Sequence, residues 1–372
     1  MSNRPIAMVR ESLVPEMRPP PSAVGFGAKV QRAFFSSWLN TSITLVCLVA
    51  IGFAANFILN WGILNAIWVG DGETCRANAH AGACWAFVWA KMRFMFFGFY
   101  PPEEHWRLIL VMVITLAILV ASAQPRFWKR WLAYAWLTAV PAVFILINGG
   151  ILGLSYQPTR VWGGLPLTLL LAVVGLAFGF PLGILLALGR RSKMPLIRNL
   201  CVLYIETLRG VPLITILFMS SVLFPLLLPE GAVVDKLLRA QVALIIFAAA
   251  FIAEVVRGGL QALPKGQYEA ADSLGLGYSL KMRKIILPQA LKVVIPALVN
   301  IAIGFFKDTS LVIIIGLFDF LTTVKATLND GDWLGIHIEA YLFAALIYFI
   351  FCFSFSRYSI WLEKEVAPER IR

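Results

Sequence analysis

Residues 266–290 read GQYEAADSLGLGYSLKMRKIILPQA, a charged, turn-punctuated segment between two long apolar runs. Pro264 suits the first turn of a helix, where its missing N–H would be unpaired anyway. Gln267 to Leu274 then makes about two helical turns, with Ala270, Ala271 and Leu274 close in register. Gly275 and Gly277 supply the positive φ that stops a helix. Ser279 caps a second short helix, Leu280 to Leu287, which Pro288 closes off. The pattern predicts two short helices meeting at an angle, fixed at both ends by neighbouring spans. The plainer alternative is an amphipathic loop lying on a bilayer surface.

Those neighbours set the class. Sixty per cent of the 372 residues are apolar and only 14% are charged. A soluble domain carries nearer a quarter charged, so the chain reads as all-α and polytopic in a membrane. Eight apolar runs approach the ~20 residues needed to cross ~30 Å of hydrocarbon. They lie near 38–59, 107–123, 131–153, 164–188, 200–228, 240–260, 290–306 and 338–361. The third and fifth contain Pro and Gly, which neighbouring helices can tolerate.

A net charge of +12 could suggest nucleic acid, but its placement does not. With residue 1 inside, the internal segments 1–37, 124–130, 189–198, 257–292 and 357–372 hold 22 of the 32 Lys and Arg. This positive-inside bias puts both termini and the 266–290 segment in the cytoplasm. The basicity is topological, and no nucleic-acid partner is expected.

Residues 1–37, with Pro15, Pro19, Pro20 and Pro21, read as a flexible cytoplasmic tail, and 366–372 as a second tail. Residues 38–160 form an extension of three spans with a periplasmic loop at 60–106. The aromatic run from Trp85 to Tyr100 in that loop suits the membrane interface. Cys75 and Cys84 lie in the same loop and could bridge if it faces an oxidising compartment, whereas Cys47, Cys201 and Cys352 fall in spans. No metal-site spacing exists, and His80, His105 and His337 are scattered. Gly175, Gly179 and Gly183 form a small-residue stripe, for packing within the subunit or at a subunit interface.

Glu269-Ala270-Ala271, three residues, Gly275, nine residues, then Ile285, Leu287 and Pro288 resemble the EAA signature of ABC-importer permeases. YIETLRGVP at 204–212, FIAEVVRGGL at 251–260 and FFKDTSL at 305–311 are similar to the polar amino-acid permeases of that group, of histidine/glutamine/arginine type. The likeness covers the core, 161–365, with its coupling segment at 264–290 and the last five spans. The three extra N-terminal spans resemble one subgroup, the broad-range L-amino-acid uptake permeases of Gram-negative bacteria.

The resemblance implies a permease subunit in a bacterial inner membrane, forming half of a translocation pathway. Its partners would be an ATPase dimer, a second permease (a different chain in preference to another copy of this one), a periplasmic substrate-binding protein and lipid. In the family the EAA element inserts into a groove on the ATPase, which assigns coupling to Gly266, Glu269, Ala270, Ala271, Gly275, Arg283 and Pro288. Arg283 and Lys284 could equally meet lipid phosphates.

Ionisable groups within spans are functional candidates by default. Lys307 lies roughly 24 Å along its helix from Leu291, toward the outer half of the bilayer. A zwitterionic amino acid needs both an anionic and a cationic partner. Asp308 can serve its ammonium and Arg209 its carboxylate, with Thr309 and Ser310 adding hydroxyls. Arg209 with Asp308, or Lys307 with Asp308, could instead be structural ion pairs. Glu254 and Arg257, at i and i+3, read as a structural pair bracing the coupling segment.

No G-x-x-x-x-G-K-[ST] is present, and no catalytic grouping stands out, so no cofactor or catalytic residue is expected. ATP hydrolysis would reside on a partner. An ion-coupled secondary transporter predicts inverted repeats that are not visible, and a membrane enzyme or scaffold predicts catalytic clusters or no transport role.

Overall fold

A computed structural model describes residues 25–77, 82–127 and 129–366. Most of the expected N-terminal tail, with its prolines at 15, 19, 20 and 21, lies outside the described residues. So do His80 and residues 367–372 of the expected C-terminal tail. The chain forms two compact units, residues 1–66 with 79–83 and residues 67–78 with 84–372. The division expected at residue 160 therefore falls inside the second unit.

The first unit holds α1 (Phe26–Phe34) and α2 (Trp38–Leu59). The tail read as flexible through residue 37 is helical over nine of its last residues. Ser37 starts α2 by accepting the Asn40 amide at 3.2 Å, satisfying one of the donors a helix start leaves free.

The second unit begins with α3 (Gly72–Ala77) and α4 (Trp85–Phe97), followed by α5 (His105–Ala123) and α6 (Arg130–Asn148). Next come α7 (Gly164–Arg190) and α8 (Pro195–Gly210). Then α9 (Leu213–Phe218) runs through a wide turn into α10 (Phe224–Leu226). The remaining helices are α11 (Lys236–Ala262), α12 (Lys265–Ser273), α13 (Tyr278–Lys281), α14 (Leu287–Asp308), α15 (Phe320–Thr327) and α16 (His337–Val366). Among the described residues seven helices are long and apolar enough to cross a membrane, or eight with one bent pair.

That bent pair corrects the fifth expected span. Residues 200–228 do not form one rod, because α8 and the α9–α10 stretch meet at 104°. Pro212 is the cause. Its ring disfavours the helical region for the preceding residue, and Val211 is extended at φ −103°, ψ 132°.

The centre of the unit is the pairing of α7 with α11. In lipid there is little hydrophobic gain from bringing two apolar helices together, so close van der Waals fit has to hold them. The glycine stripe supplies it. A Cβ at Gly179 would lie 2.9 Å from the Ala248 Cβ, and one at Gly183 only 2.7 Å from Ile252 Cγ2. At Gly175 the obstruction is the Phe305 ring of α14, at 2.6 Å. The stripe packs within the subunit.

The extension's second and third spans, α5 and α6, are tied to each other through Arg107, whose side chain is fully buried. Its guanidinium donates to the carbonyls of Leu146 at 2.6 Å and Ser155 at 3.0 Å, and pairs with Glu104 at 3.2 Å. A charge within a span is thus spent on the unpaired carbonyls at the end of α6, where a cation is favoured.

The aromatic run is not simply interfacial. Phe87 and Met95 are fully buried, and the Phe96 ring meets Phe320 and Phe343 at 5.8 and 5.9 Å. Trp89 and Phe99 stay exposed. Composition marked the helix as apolar but could not tell protein from lipid as its neighbour. Cys75 and Cys84 are bridged, with Cα atoms 5.8 Å apart. Around them Arg76 donates to the Asp332 carbonyl at 2.9 Å and Lys91 pairs with Asp330 at 2.5 Å. The Cys84 amide donates to the buried Glu339 carboxylate at 2.8 Å. Lys91 also holds the Asp330 carboxyl below the usual carboxylate range.

Candidate coupling segment and polar cluster

The segment 264–290 forms an angled pair of helices whose details differ from expectation. Pro264 is the cap before α12 rather than its first residue, and α12 ends at Ser273. The turn after it is a Schellman motif. The Leu276 amide donates to the Ala271 carbonyl at 3.2 Å and the Gly275 amide to Asp272 at 2.9 Å. Gly275 takes φ +68°, which a residue with a Cβ adopts only at a cost. Gly277 keeps φ −61° and caps α13, so neither its expected positive φ nor capping by Ser279 is realised.

Pro288 does not close the second helix. Residues 278–315 run as one 38-residue helical stretch, from the coupling segment into the membrane. A π-turn at Met282–Ile286 accommodates the proline: the Leu287 amide bonds to Met282, five residues back. Such a widened turn relieves the clash between a proline ring and the carbonyl four residues earlier. The second half of the segment is therefore continuous in backbone with α14.

The element has a buried side and an exposed tip. Ala271 is 1% exposed, whereas Leu274, Tyr278 and Leu280 are 74%, 57% and 47% exposed. Gly266, Glu269, Ala270, Gly275, Arg283, Lys284 and Pro288 are all exposed. Lys281 pairs with Asp272 across the bend, and Gln289 donates to Gln267 at 3.1 Å. The Tyr268 hydroxyl donates to the Leu260 carbonyl at 2.8 Å and accepts from Arg191 at 3.0 Å. An apolar tip on a hydrogen-bonded base suits insertion into a groove.

Glu254 pairs with Arg257 as expected from their spacing, at 2.5 and 2.9 Å. The same carboxylate also lies 3.3 Å from Arg190 and 3.7 Å from Arg209. Arg190 reaches Glu206 at 2.8 Å. Three arginines and two glutamates thus join the ends of α7, α8 and α11. Glu254 lies eight residues before the end of α11, roughly 12 Å from the coupling segment.

Arg209 and Asp308 are not brought together. Arg209 belongs to this cluster, while Asp308 ends α14 at the far end from the coupling segment, roughly 30 Å along the helix. The alternative Arg209–Asp308 ion pair is not formed among the described residues. Asp308 is half-buried and Lys307 exposed, and among the described residues neither makes an ion pair. Thr309 is buried and donates to the Phe306 carbonyl at 2.8 Å, with Ser310 half-buried beside it.

Arg190, Arg191 and Tyr268 were not foreseen as parts of the site. The doubled arginine at the end of an apolar run was the available signal, but topology alone accounted for it. No group of three or more potential metal ligands occurs among the described residues.

These features describe a bundle of membrane-length helices that carries an exposed helical elbow and a partly buried polar cluster. The chain belongs to the family of binding-protein-dependent transport system inner membrane components, whose model matches residues 179–368. It is 53% identical over 343 residues to the inner membrane amino-acid ABC transporter permease protein YhdY of Escherichia coli (strain K12), covering 90% of this chain and 91% of that protein. It is 37% identical to the glutamate/glutamine/aspartate/asparagine transport system permease protein BztC of Rhodobacter capsulatus, covering 97% and 98%. A shorter relative, the probable amino-acid ABC transporter permease protein YckA of Bacillus subtilis, is 35% identical over 55% of this chain and 88% of its own length. The chain is a permease subunit of an ABC transporter.

Proposed function

We propose that this permease forms one half of the pathway of an ATP-driven amino-acid importer and is itself non-catalytic. The exposed Leu274–Tyr278–Leu280 tip on a braced base carries the reading, since an ATPase groove is the surface it fits. ATP-driven closure of an ATPase dimer pulls on the tip, and the unbroken helix from 278 to 315 carries that pull into the membrane. Arg191 and Tyr268 transmit it to α7. A second permease completes the path, a binding protein delivers substrate outside, and both termini face the cytoplasm of an inner membrane.

Asp308 and Ser310 line the outer end of the path in this reading, with Lys307 close by, and Asp308 receives the substrate ammonium. Arg209 acts within the inner ion cluster rather than beside Asp308. Relatives named as amino-acid permeases support the substrate class, and an ion-coupled secondary transporter has no support among them. Reconstitution with the ATPase subunit, a partner permease and the binding protein tests the proposal. Amino-acid uptake strictly dependent on ATP supports it, and uptake sustained by an ion gradient without ATP refutes it.

A further inference from the structure

We propose that α1 is a docking surface for anionic phospholipid headgroups, lying flat on the bilayer beside the start of α2. The helix is two-sided. Phe26, Val30, Ala33 and Phe34 recur at i, i+4, i+7 and i+8 and share one face. Lys29, Gln31 and Arg32 lie off that face. No α1 residue is buried, and Phe26 and Phe34 are 85% and 52% exposed.

Connectivity places this unpartnered face at a membrane surface. Only residues 35–37 separate α1 from the 27-residue apolar stretch Trp38–Leu64. Hydrogen bonds fix the joint: Thr44 donates to the Phe34 carbonyl at 2.9 Å, and the Asn40 amide group to Ser36 at 2.7 Å. The end of α1 is thus held against the first turns of α2, where a spanning helix enters the hydrocarbon.

Charge chooses the kind of surface. No Asp or Glu occurs between Glu16 and Asp71, and among the described residues Lys29 and Arg32 make no ion pair. Two unneutralised cations flanking an aromatic apolar face fit phosphate-bearing anionic headgroups, with the rings sunk at the acyl boundary. This inference is independent of the transport reading.

Single spin labels at positions 26, 30 and 31 of the full-length chain test it, in a background with Cys47, Cys201 and Cys352 replaced by serine. The protein is placed in nanodiscs of phosphatidylcholine with or without phosphatidylglycerol. Labels at 26 and 30 should favour oxygen over a water-soluble nickel reagent, and the label at 31 the reverse. That contrast should fall on the order of tenfold without phosphatidylglycerol, or in the K29E/R32E variant labelled at 26 and 30. Nickel access at every position, or shielding from both reagents, would overturn the proposal. Contrast unaffected by lipid charge would overturn the headgroup assignment.

Discussion

The Arg191 guanidinium, just beyond α7, donates to the Tyr268 hydroxyl of α12 at 3.0 Å, and its charge lies over the same ring at 5.4 Å. One tyrosine thereby joins the coupling segment to the ends of both α7 and α11, since its hydroxyl also donates to the Leu260 carbonyl. Tyr268→Phe keeps the ring and removes two hydrogen bonds, each worth about 0.5–1.5 kcal/mol. The variant should insert normally but lower the ratio of uptake to ATP hydrolysed about three- to tenfold. Parallel uptake and phosphate-release assays in proteoliposomes measure that ratio.

Gly275 has open space around it, so a larger residue there meets no internal obstacle. Its cost is conformational, about 1–2 kcal/mol for a left-handed residue with a Cβ. Gly275→Ala should weaken coupling modestly. Gly275→Arg, which also blocks the tip, should abolish stimulation of the ATPase while leaving the amount of inserted protein unchanged on membrane immunoblots.

Glu254 serves three arginines, whereas Glu206 serves one and is 53% exposed in its side chain. Removing the shared anion leaves a partly buried excess of positive charge. Glu254→Gln should lower the midpoint of thermal unfolding in detergent severalfold more than Glu206→Gln does. Equal shifts would mean that the cluster is not centred on Glu254.

The Lys91–Asp330 tether has a defined pH window. Because the folded-state carboxyl is depressed by Lys91, its contribution is complete above the ordinary aspartate value of about 3.9. It is lost as pH falls through the lowered folded value. Amide exchange of α4, corrected for its intrinsic pH dependence, should therefore accelerate only in strongly acidic buffer, and Lys91→Ala should remove that step.

Asp308→Ala tests the place proposed for Asp308 in the path. Uptake of at least some amino acids should fall while basal ATPase activity is retained. Unchanged uptake and unchanged substrate-stimulated hydrolysis would assign Asp308 a structural role.

The angled helix pair at 264–290 was legible because its geometry needs particular residues at particular spacings, above all a buried Ala271 and a left-handed Gly275. Its continuation into α14 was not, because a π-turn has no residue signature and Pro288 alone reads as a stop. The break at Pro212 was not legible, because proline in spans is common enough to be read as tolerated within a single helix. The ion cluster draws Arg190, Glu206, Arg209 and Glu254 from three helices, and pairing at that separation is set by packing rather than local pattern. Arg107 opens the second apolar run, yet the Leu146 carbonyl it caps belongs to another helix.

Cysteine crosslinking at Leu274 and Leu280 in the assembled transporter tests the central claim most directly. The account predicts crosslinks from both positions to the ATPase subunit, with yields that change when ATP is bound. Reaction of either position with an impermeant reagent added outside the cell, or failure of both to reach the ATPase, would contradict it.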